Sequence, residues 1–188
     1  MRNAFQDVIT QIKGIWSRLD GGQRLVVSAV LAATAAGLAA IVWFAGRPSY
    51  ETVYTARSND VGIHGSGAGL VLGGTYTVEQ LFLGMLLPSG NDAATALTHV
   101  YNSDGRKAIR LMNTTARTLG ATGTVAVNPT GLPVPGQRTT ATDMAIIARA
   151  AIANPDFRRL AQTKTVQFPG RMPKAGSVRK TYQLEEAS

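Results

Sequence analysis

The sequence predicts a mainly α protein, an α+β fragment in which one transmembrane helix precedes a cluster of helices with little sheet. The first observation behind this prediction is residues 25–46, a run without a formal charge. The second is that residues 105–119 and 142–152 carry apolar side chains at the 3.6-residue period of a helix. Only residues 165–168 have the composition of a strand.

Length and composition limit the function classes. A chain of 188 residues suffices for one domain with a core and an added anchor, and the absence of cysteine excludes disulfides and thiolate metal sites. The net charge of +8 indicates either a solvated basic surface or attraction to an anionic membrane or cell wall. No basic run is interleaved with aromatic residues, so a nucleic-acid partner is not expected.

The uncharged run has the length of a membrane span. At 1.5 Å per residue, a helix over residues 25–46 is about 30 Å long, which matches the hydrocarbon core of a bilayer. Trp43 and Phe44 stand near its end, where aromatic residues favour the interface. A cleaved signal peptide is the alternative, but the run is too long and begins late for one.

The charge bias predicts the orientation of this span. Four basic residues precede it and two closely follow it, namely Arg2, Lys13, Arg18 and Arg24 before, and Arg47 and Arg57 after. This modest excess favours a cytoplasmic N-terminus at the plasma membrane. The predicted organisation is a cytoplasmic lead over 1–24, the span over 25–46, a linker and loop over 47–75, and an extracytoplasmic domain over 76–188.

Capping residues mark the boundaries of the first helices. Thr77 and Gln80 form a capping-box pattern, so a helix is expected from Val78 to about residue 87, ending before Pro88. A second helix is expected over residues 91–101, with Asp92 in its first turn facing the positive helix end.

The later helices are predicted in the same way. Gly120 is the expected stop of the helix over 105–119. Thr142 is the expected N-cap of the next helix, and Asn154-Pro155 opens a further short one.

A tripeptide between the first two of these helices carries the chemistry. Ser89-Gly90-Asn91 is a Ser-x-Asn element at a helix junction, one of three elements found in serine enzymes that are acylated by penicillin. The alternative is that Ser89 is a plain helix N-cap.

The sequence around this tripeptide resembles a known family. The segments GLVLGGTYTVEQLFLGMLLPSGNDAATAL and LMNTTARTLGATGTVAVNPTGLPVPGQRTTATDMAIIARAAIANPDFRRLAQTKTVQFPG are similar to serine-type D-alanyl-D-alanine carboxypeptidases, the low-molecular-mass penicillin-binding proteins. The resemblance implies the helical cluster of a penicillin-binding/β-lactamase-like fold and a peptidoglycan stem peptide as substrate. It also implies that Ser89 relays a proton and that the Asn91 amide binds the substrate.

Two elements of the family pattern are not where the resemblance requires them. No Ser-x-x-Lys precedes Ser89, and the single match in the chain, Ser177 to Lys180, lies on the wrong side. The Lys-Thr pairs at 164–165 and 180–181 are followed by Val166 and Tyr182 instead of glycine. Because a serine needs a base to become nucleophilic, we expect this chain not to hydrolyse D-Ala-D-Ala by itself.

The N-terminal part resembles a different family. Residues 8–56, with the span and the exit RPSYETVYTA, are similar to the N-terminus of a flagellar M-ring protein. A structural ring subunit is therefore one alternative function, and a module that binds peptidoglycan without cutting it is another. The oligomeric state stays open.

No other residue cluster predicts a cofactor or a metal. His64 and His99 have no partner at metal-ligand spacing, and Glu185-Glu186 is expected to be a solvated tail. The glycine-rich segment 64–74 lacks the Gly-Lys-Ser/Thr of a phosphate-binding loop. We therefore expect no cofactor.

Overall fold

The computed structural model describes residues 49–170 and 180–185, which form part of one compact unit. Within these residues five helices lie between two antiparallel two-stranded sheets in chain order. The elements are β1 Val53–Thr55, β2 Thr75–Thr77, α1 Val78–Leu86, α2 Asn91–Tyr101, α3 Arg106–Thr118, α4 Ala141–Ala153, α5 Pro155–Ala161, β3 Thr165–Pro169 and β4 Thr181–Glu185.

Helix α1 is the centre of the packing. It begins at the predicted capping box. The backbone N–H of Gln80 donates to Thr77 Oγ1 over 3.1 Å, and the backbone N–H of Thr77 donates to Gln80 Oε1 over 2.9 Å. The helix packs against α2, α5, β2 and β3. Its side chains Leu81 and Phe82 are fully buried, so α1 supplies the apolar face on which the other elements assemble.

The other predicted helices are confirmed, with one different cap. Gly120 follows α3 with a φ of +89°, as a helix-stopping glycine does. Helix α4 is capped by Thr140, whose hydroxyl accepts from the Asp143 amide over 3.1 Å, so the prediction of Thr142 as N-cap is wrong. The apolar period begins only at Met144 and does not distinguish between neighbouring threonines.

Short strands pair residues far apart in the sequence. Tyr54 of β1 lies opposite Tyr76 of β2, and Phe168 of β3 lies opposite Tyr182 of β4. Strand β1 falls in the segment 47–75 that was predicted as linker and loop, and this segment also contains buried residues such as Ala68. Its described part, from residue 49, is therefore a folded part of the domain.

A buried carboxylate joins β1 to α2. Asp60 is fully buried and accepts from the Tyr54 hydroxyl over 2.7 Å and from the Arg57 amide over 2.7 Å. Its other oxygen lies 2.5 Å from Nδ1 of His99, so this histidine has a carboxylate partner that sequence spacing did not reveal. Burial and the Asp60 carboxylate raise the pKa of Tyr54, which keeps that hydroxyl a donor.

The predicted membrane span lies outside the described residues, as does Ser177. In the described part of the chain, no helix combines the length and the apolar character needed to cross a bilayer.

We predict that Asp60→Ala lowers the free energy of unfolding by about 3 kcal/mol, because it leaves buried donors without an acceptor. Thermal or urea unfolding of the full chain in mild detergent measures this loss. The control is Asp104→Ala, which removes the exposed partner of Arg106. Surface ion pairs contribute little, so the control should change stability far less, and equal losses would contradict the buried role of Asp60.

Candidate active site

The Ser-x-Asn turn connects α1 to α2 in a strained conformation. Ser89 is half-buried and has a φ of 56°, and among the described residues it alone has a positive φ without being glycine. The left-handed region costs a non-glycine residue about 1–2 kcal/mol, and such strain clusters at functional sites. The N-cap of α2 is Gly90, without a side-chain cap, so the alternative of Ser89 as N-cap is wrong.

The middle residue of the turn has no room for a side chain. The Gly90 amide donates to the Gly84 carbonyl over 3.1 Å, which draws the turn against α1. A Cβ at Gly90 would lie 2.8 Å from the backbone nitrogen of Ala68 and 2.9 Å from Oδ1 of Asp92. Close approach of three backbone segments therefore requires glycine between Ser89 and Asn91.

Asn91 is held in one orientation by the glycine-rich loop. Its side chain is buried, and Nδ2 donates to the His64 carbonyl over 2.9 Å, while its amide donates to the Ser66 carbonyl over 2.9 Å. Only the NH2 end of an amide can donate to a carbonyl, so the side-chain oxygen faces the other way. Within the described part of the chain, no hydrogen bond occupies that oxygen.

Asp92 clamps the same loop from the next position of α2. One carboxylate oxygen accepts from the Ala68 amide over 2.7 Å and the other from the Leu70 amide over 2.9 Å. The side chain is buried in the first turn, where the helix dipole favours a negative charge, as predicted. The contacts with residues 68 and 70 are additional to that prediction.

A shallow groove lies beside this clamp. It has a volume of about 530 Å³ and is lined by residues 67–71, Gly170 and Tyr182. The Tyr182 hydroxyl donates to the Ala68 carbonyl, which connects β4 to the loop that holds Asn91. The groove is therefore built from the glycine-rich loop and the β3–β4 hairpin together.

A turn over residues 128–132 also reaches this region. Oδ1 of Asn128 accepts from the Thr130 and Gly131 amides over 3.1 and 2.9 Å. The Leu132 side chain approaches Gly65, since Cδ2 lies 3.8 Å from where a Cβ there would stand. The turn thus contacts the loop that carries the Asn91 acceptor.

The described residues do not complete an acylating site. Among the described residues, 49–170 and 180–185, no lysine side chain forms a hydrogen bond with Ser89 or Asn91. The geometry supplies an Asn91 amide held by the His64 carbonyl and a half-buried Ser89 two residues before it.

Comparison with known proteins identifies the family. The model of the peptidase S11 family, D-alanyl-D-alanine carboxypeptidase, matches residues 51–184. The chain belongs to this family. The match confirms the resemblance predicted from the Ser-x-Asn region, and its first six residues, 51–56, overlap the segment 8–56 for which a flagellar M-ring resemblance is predicted. The comparisons do not show the flagellar resemblance.

Two relatives from bacteria show the extent of the similarity. The D-alanyl-D-alanine carboxypeptidase DacB2 of Mycobacterium tuberculosis is 44% identical over 103 residues, which are 54% of this chain and 35% of that protein. The D-alanyl-D-alanine carboxypeptidase of Streptomyces sp. strain K15 is 36% identical over 120 residues, which are 61% of this chain and 41% of that protein. The chain spans about a third to two fifths of the length of these curated relatives.

Solved structures confirm the penicillin-binding fold with its helices and small sheets. A D-alanyl-D-alanine carboxypeptidase from Mycobacterium tuberculosis H37Rv has a TM-score of 0.71 at 33% identity, covering 83% of this chain and 56% of that one. The Streptomyces K15 DD-transpeptidase has a TM-score of 0.71 at 26% identity, covering 82% of this chain and 63% of that one.

We predict that Ser89→Gly stabilises the fold by about 0.5–1 kcal/mol. The left-handed penalty of about 1–2 kcal/mol disappears, while glycine adds about 0.5–1 kcal/mol of entropy to the unfolded state. Ser89→Ala keeps the strain and serves as the matched control, without a gain. Differential scanning calorimetry of the full chain measures both variants, and a loss of stability in Ser89→Gly would show that the strain is not present.

A second prediction concerns the clamp. Asp92→Asn places an NH2 group against a fixed backbone N–H, so we expect a loss of about 2–3 kcal/mol. Hydrogen exchange at residues 67–70 should become faster. The control is Asp143→Asn. Asp143 is also buried, but its partner is the Thr124 hydroxyl, which can rotate and accept a hydrogen bond from the new NH2 group. Similar exchange at residues 67–70 in both variants would disprove the specific role of Asp92.

Proposed function

We propose that this chain is a membrane-anchored family member whose outward-facing domain carries the Ser-x-Asn part of a D-alanyl-D-alanine carboxypeptidase site. The supporting observation is the turn itself, in which a strained Ser89 precedes an Asn91 amide fixed by the His64 carbonyl. The substrate class is the peptidoglycan stem peptide that ends in D-Ala-D-Ala, which follows from the family.

The two side chains have separate roles in this proposal. In a complete site of this family, the Ser89 hydroxyl would pass a proton toward the leaving amine, since a hydroxyl can accept and donate at once; in this chain it offers the bound peptide a hydrogen-bond partner. The side-chain oxygen of Asn91 accepts from a peptide N–H of the substrate, because the bond to His64 turns that oxygen away from the loop. Both groups position a substrate and neither can acylate it without a base.

No Ser-x-x-Lys pair stands before Ser89, where the family pattern requires the acylating serine. Between Met1 and Ser89 no serine is followed three positions later by lysine. Removing the members of a serine triad leaves a residual acceleration of only about 10³–10⁴ over water, and the same reasoning applies to a serine–lysine pair. The proposal is therefore a site that can hold a stem peptide without turning it over.

The location of the domain is part of the proposal. The span over 25–46 and the excess of basic residues before it favour a cytoplasmic N-terminus and an extracytoplasmic domain. A flagellar ring subunit is the less favoured alternative, because residues 51–56 of that resemblance lie inside the family match and include β1, which pairs with β2.

We predict that the purified full chain is not labelled by fluorescent penicillin and releases no D-alanine from a stem peptide. The reason is the missing serine–lysine pair, and gel fluorescence with a D-alanine assay measures both. A complete family enzyme, labelled in parallel, controls for the reagent. Covalent label on any serine of this chain would contradict the prediction.

Binding without turnover tests the proposed site separately. The side-chain amide signals of Asn91 in an NMR spectrum should shift when a D-Ala-D-Ala peptide is added. The matched control is Asn113, whose amide is bonded to the Ile109 and Ala126 carbonyls, and its signals should not move. Equal shifts of the two amides, or none, would contradict the site.

A further inference from the structure

Helix α3 has one apolar and one cationic face. Its buried residues Ala108, Met112 and Ala116 recur every four positions and pack toward the core. The exposed positions carry four basic side chains, and no acidic residue occurs in the helix; the four are Arg106, Lys107, Arg110 and Arg117. Together with Arg57 they form what we call the cationic face.

Arg57 belongs to this face because of its contact with the start of α3. Its Nη1 donates to the Ser103 carbonyl over 3.2 Å, three residues before the helix begins, and its side chain is exposed. The nearest acid in the sequence is Asp104, which pairs with Arg106 over 3.0 Å. In the described part of the chain, Lys107, Arg110 and Arg117 have no ion pair.

The stability of the helix does not account for these cations. The N-terminal turn of a helix is its positive end and favours acidic residues, which contribute about 0.3–1 kcal/mol each. Here Arg106 and Lys107 occupy the first turn, and the one acid at this end, Asp104 before the helix, accepts from the Arg106 amide over 2.9 Å and pairs with the Arg106 guanidinium, which leaves Lys107 without a counterion among the described residues. Five cations are thus concentrated at a surface where helix electrostatics opposes two of them, which indicates a partner of negative charge.

We propose that the cationic face docks on the anionic phospholipid headgroups of the membrane that carries the chain. The choice of lipid rests on the proposed membrane anchor. The predicted span ends at residue 46 and β1 begins at Val53, so a short tether holds the domain within reach of the headgroups. Lys and Arg side chains held close to a leaflet that contains anionic lipid are attracted to its headgroups.

The dimensions of the face suit this contact. From Arg106 to Arg117 the helix rises about 16 Å at 1.5 Å per residue, so its side chains can reach several headgroups. Because α3 packs against α2, and α2 begins with Asn91, docking fixes the direction in which the Ser-x-Asn turn points relative to the membrane.

The experiment uses the full chain with a single label. Since the chain contains no cysteine, Thr114→Cys gives one attachment site for an environment-sensitive fluorophore, at an exposed position of α3 between Arg110 and Arg117. Gln162→Cys, exposed at the end of α5, is the control label. Both are reconstituted into vesicles of phosphatidylcholine alone and of phosphatidylcholine with phosphatidylglycerol.

We expect the label at 114 to report a less polar environment only with phosphatidylglycerol, and the label at 162 to be unchanged. Each basic side chain near an anionic surface raises the ratio of docked to undocked domain about fivefold. The double variant Lys107→Gln with Arg110→Gln should therefore lower that ratio about 25-fold. The matched pair Arg158→Gln with Lys164→Gln removes equal charge elsewhere and should leave it unchanged. Salt should weaken docking through screening.

Three results would overturn the proposal. The first is equal fluorescence of the label at 114 in both kinds of vesicle, and the second is an equal loss of docking in the two charge-matched double variants. The third is a fluorescence response to soluble polyglycerol phosphate without a response to vesicles. Flotation with phosphatidylcholine vesicles tests the anchor separately. A chain that does not float with phosphatidylcholine but still shows the phosphatidylglycerol signal at 114 supports the cationic face and contradicts the anchor. A chain that floats without that signal contradicts the cationic face alone.

Discussion

The carboxylate of Asp92 is the constraint on which the site depends. It accepts from the amides of residues 68 and 70, and so it fixes a glycine-rich segment against the first turn of α2. A loop of this composition has high conformational entropy, and ordering it requires bonds that satisfy its backbone groups. The same segment provides the carbonyls of His64 and Ser66 that orient Asn91. The position of the Asn91 side chain is thus a consequence of the neighbouring carboxylate.

The backbone of the Ser-x-Asn turn makes close contacts with neighbouring segments and is locally strained. Gly90 lies where a Cβ would meet the Ala68 nitrogen, and Ser89 adopts a left-handed conformation that glycine would adopt more easily. A serine kept in such a conformation supports the proposed role of its hydroxyl, because the fold alone would favour glycine there. The strain persists because α1, α2 and the glycine-rich loop all determine the path of this turn.

Most of the helical part was predictable, and the long-range polar contacts were not. Capping and periodicity correctly placed α1, α2, α3 and α5, because these signals lie within a few residues of each other. The pairing of Asp60 with His99 joins residues 39 positions apart, so no spacing rule could indicate it. The N-cap of α4 is Thr140, two positions before the predicted Thr142. Both threonines offer the same hydroxyl, and only the path of the helix selects one.

The sequence by itself determined the helices, the Ser-x-Asn element, the family and the absence of a Ser-x-x-Lys pattern before Ser89, since each of these depends on residue types at short spacing. The tertiary structure decided that residues 49–75 are folded, that β1 pairs with β2 and β3 with β4, and which way the Asn91 amide faces. Strands of three to five residues and loops rich in glycine are too short or too flexible to specify their own partners. Their conformation is set by backbone hydrogen bonds to distant segments, which exist only once the core around α1 has formed.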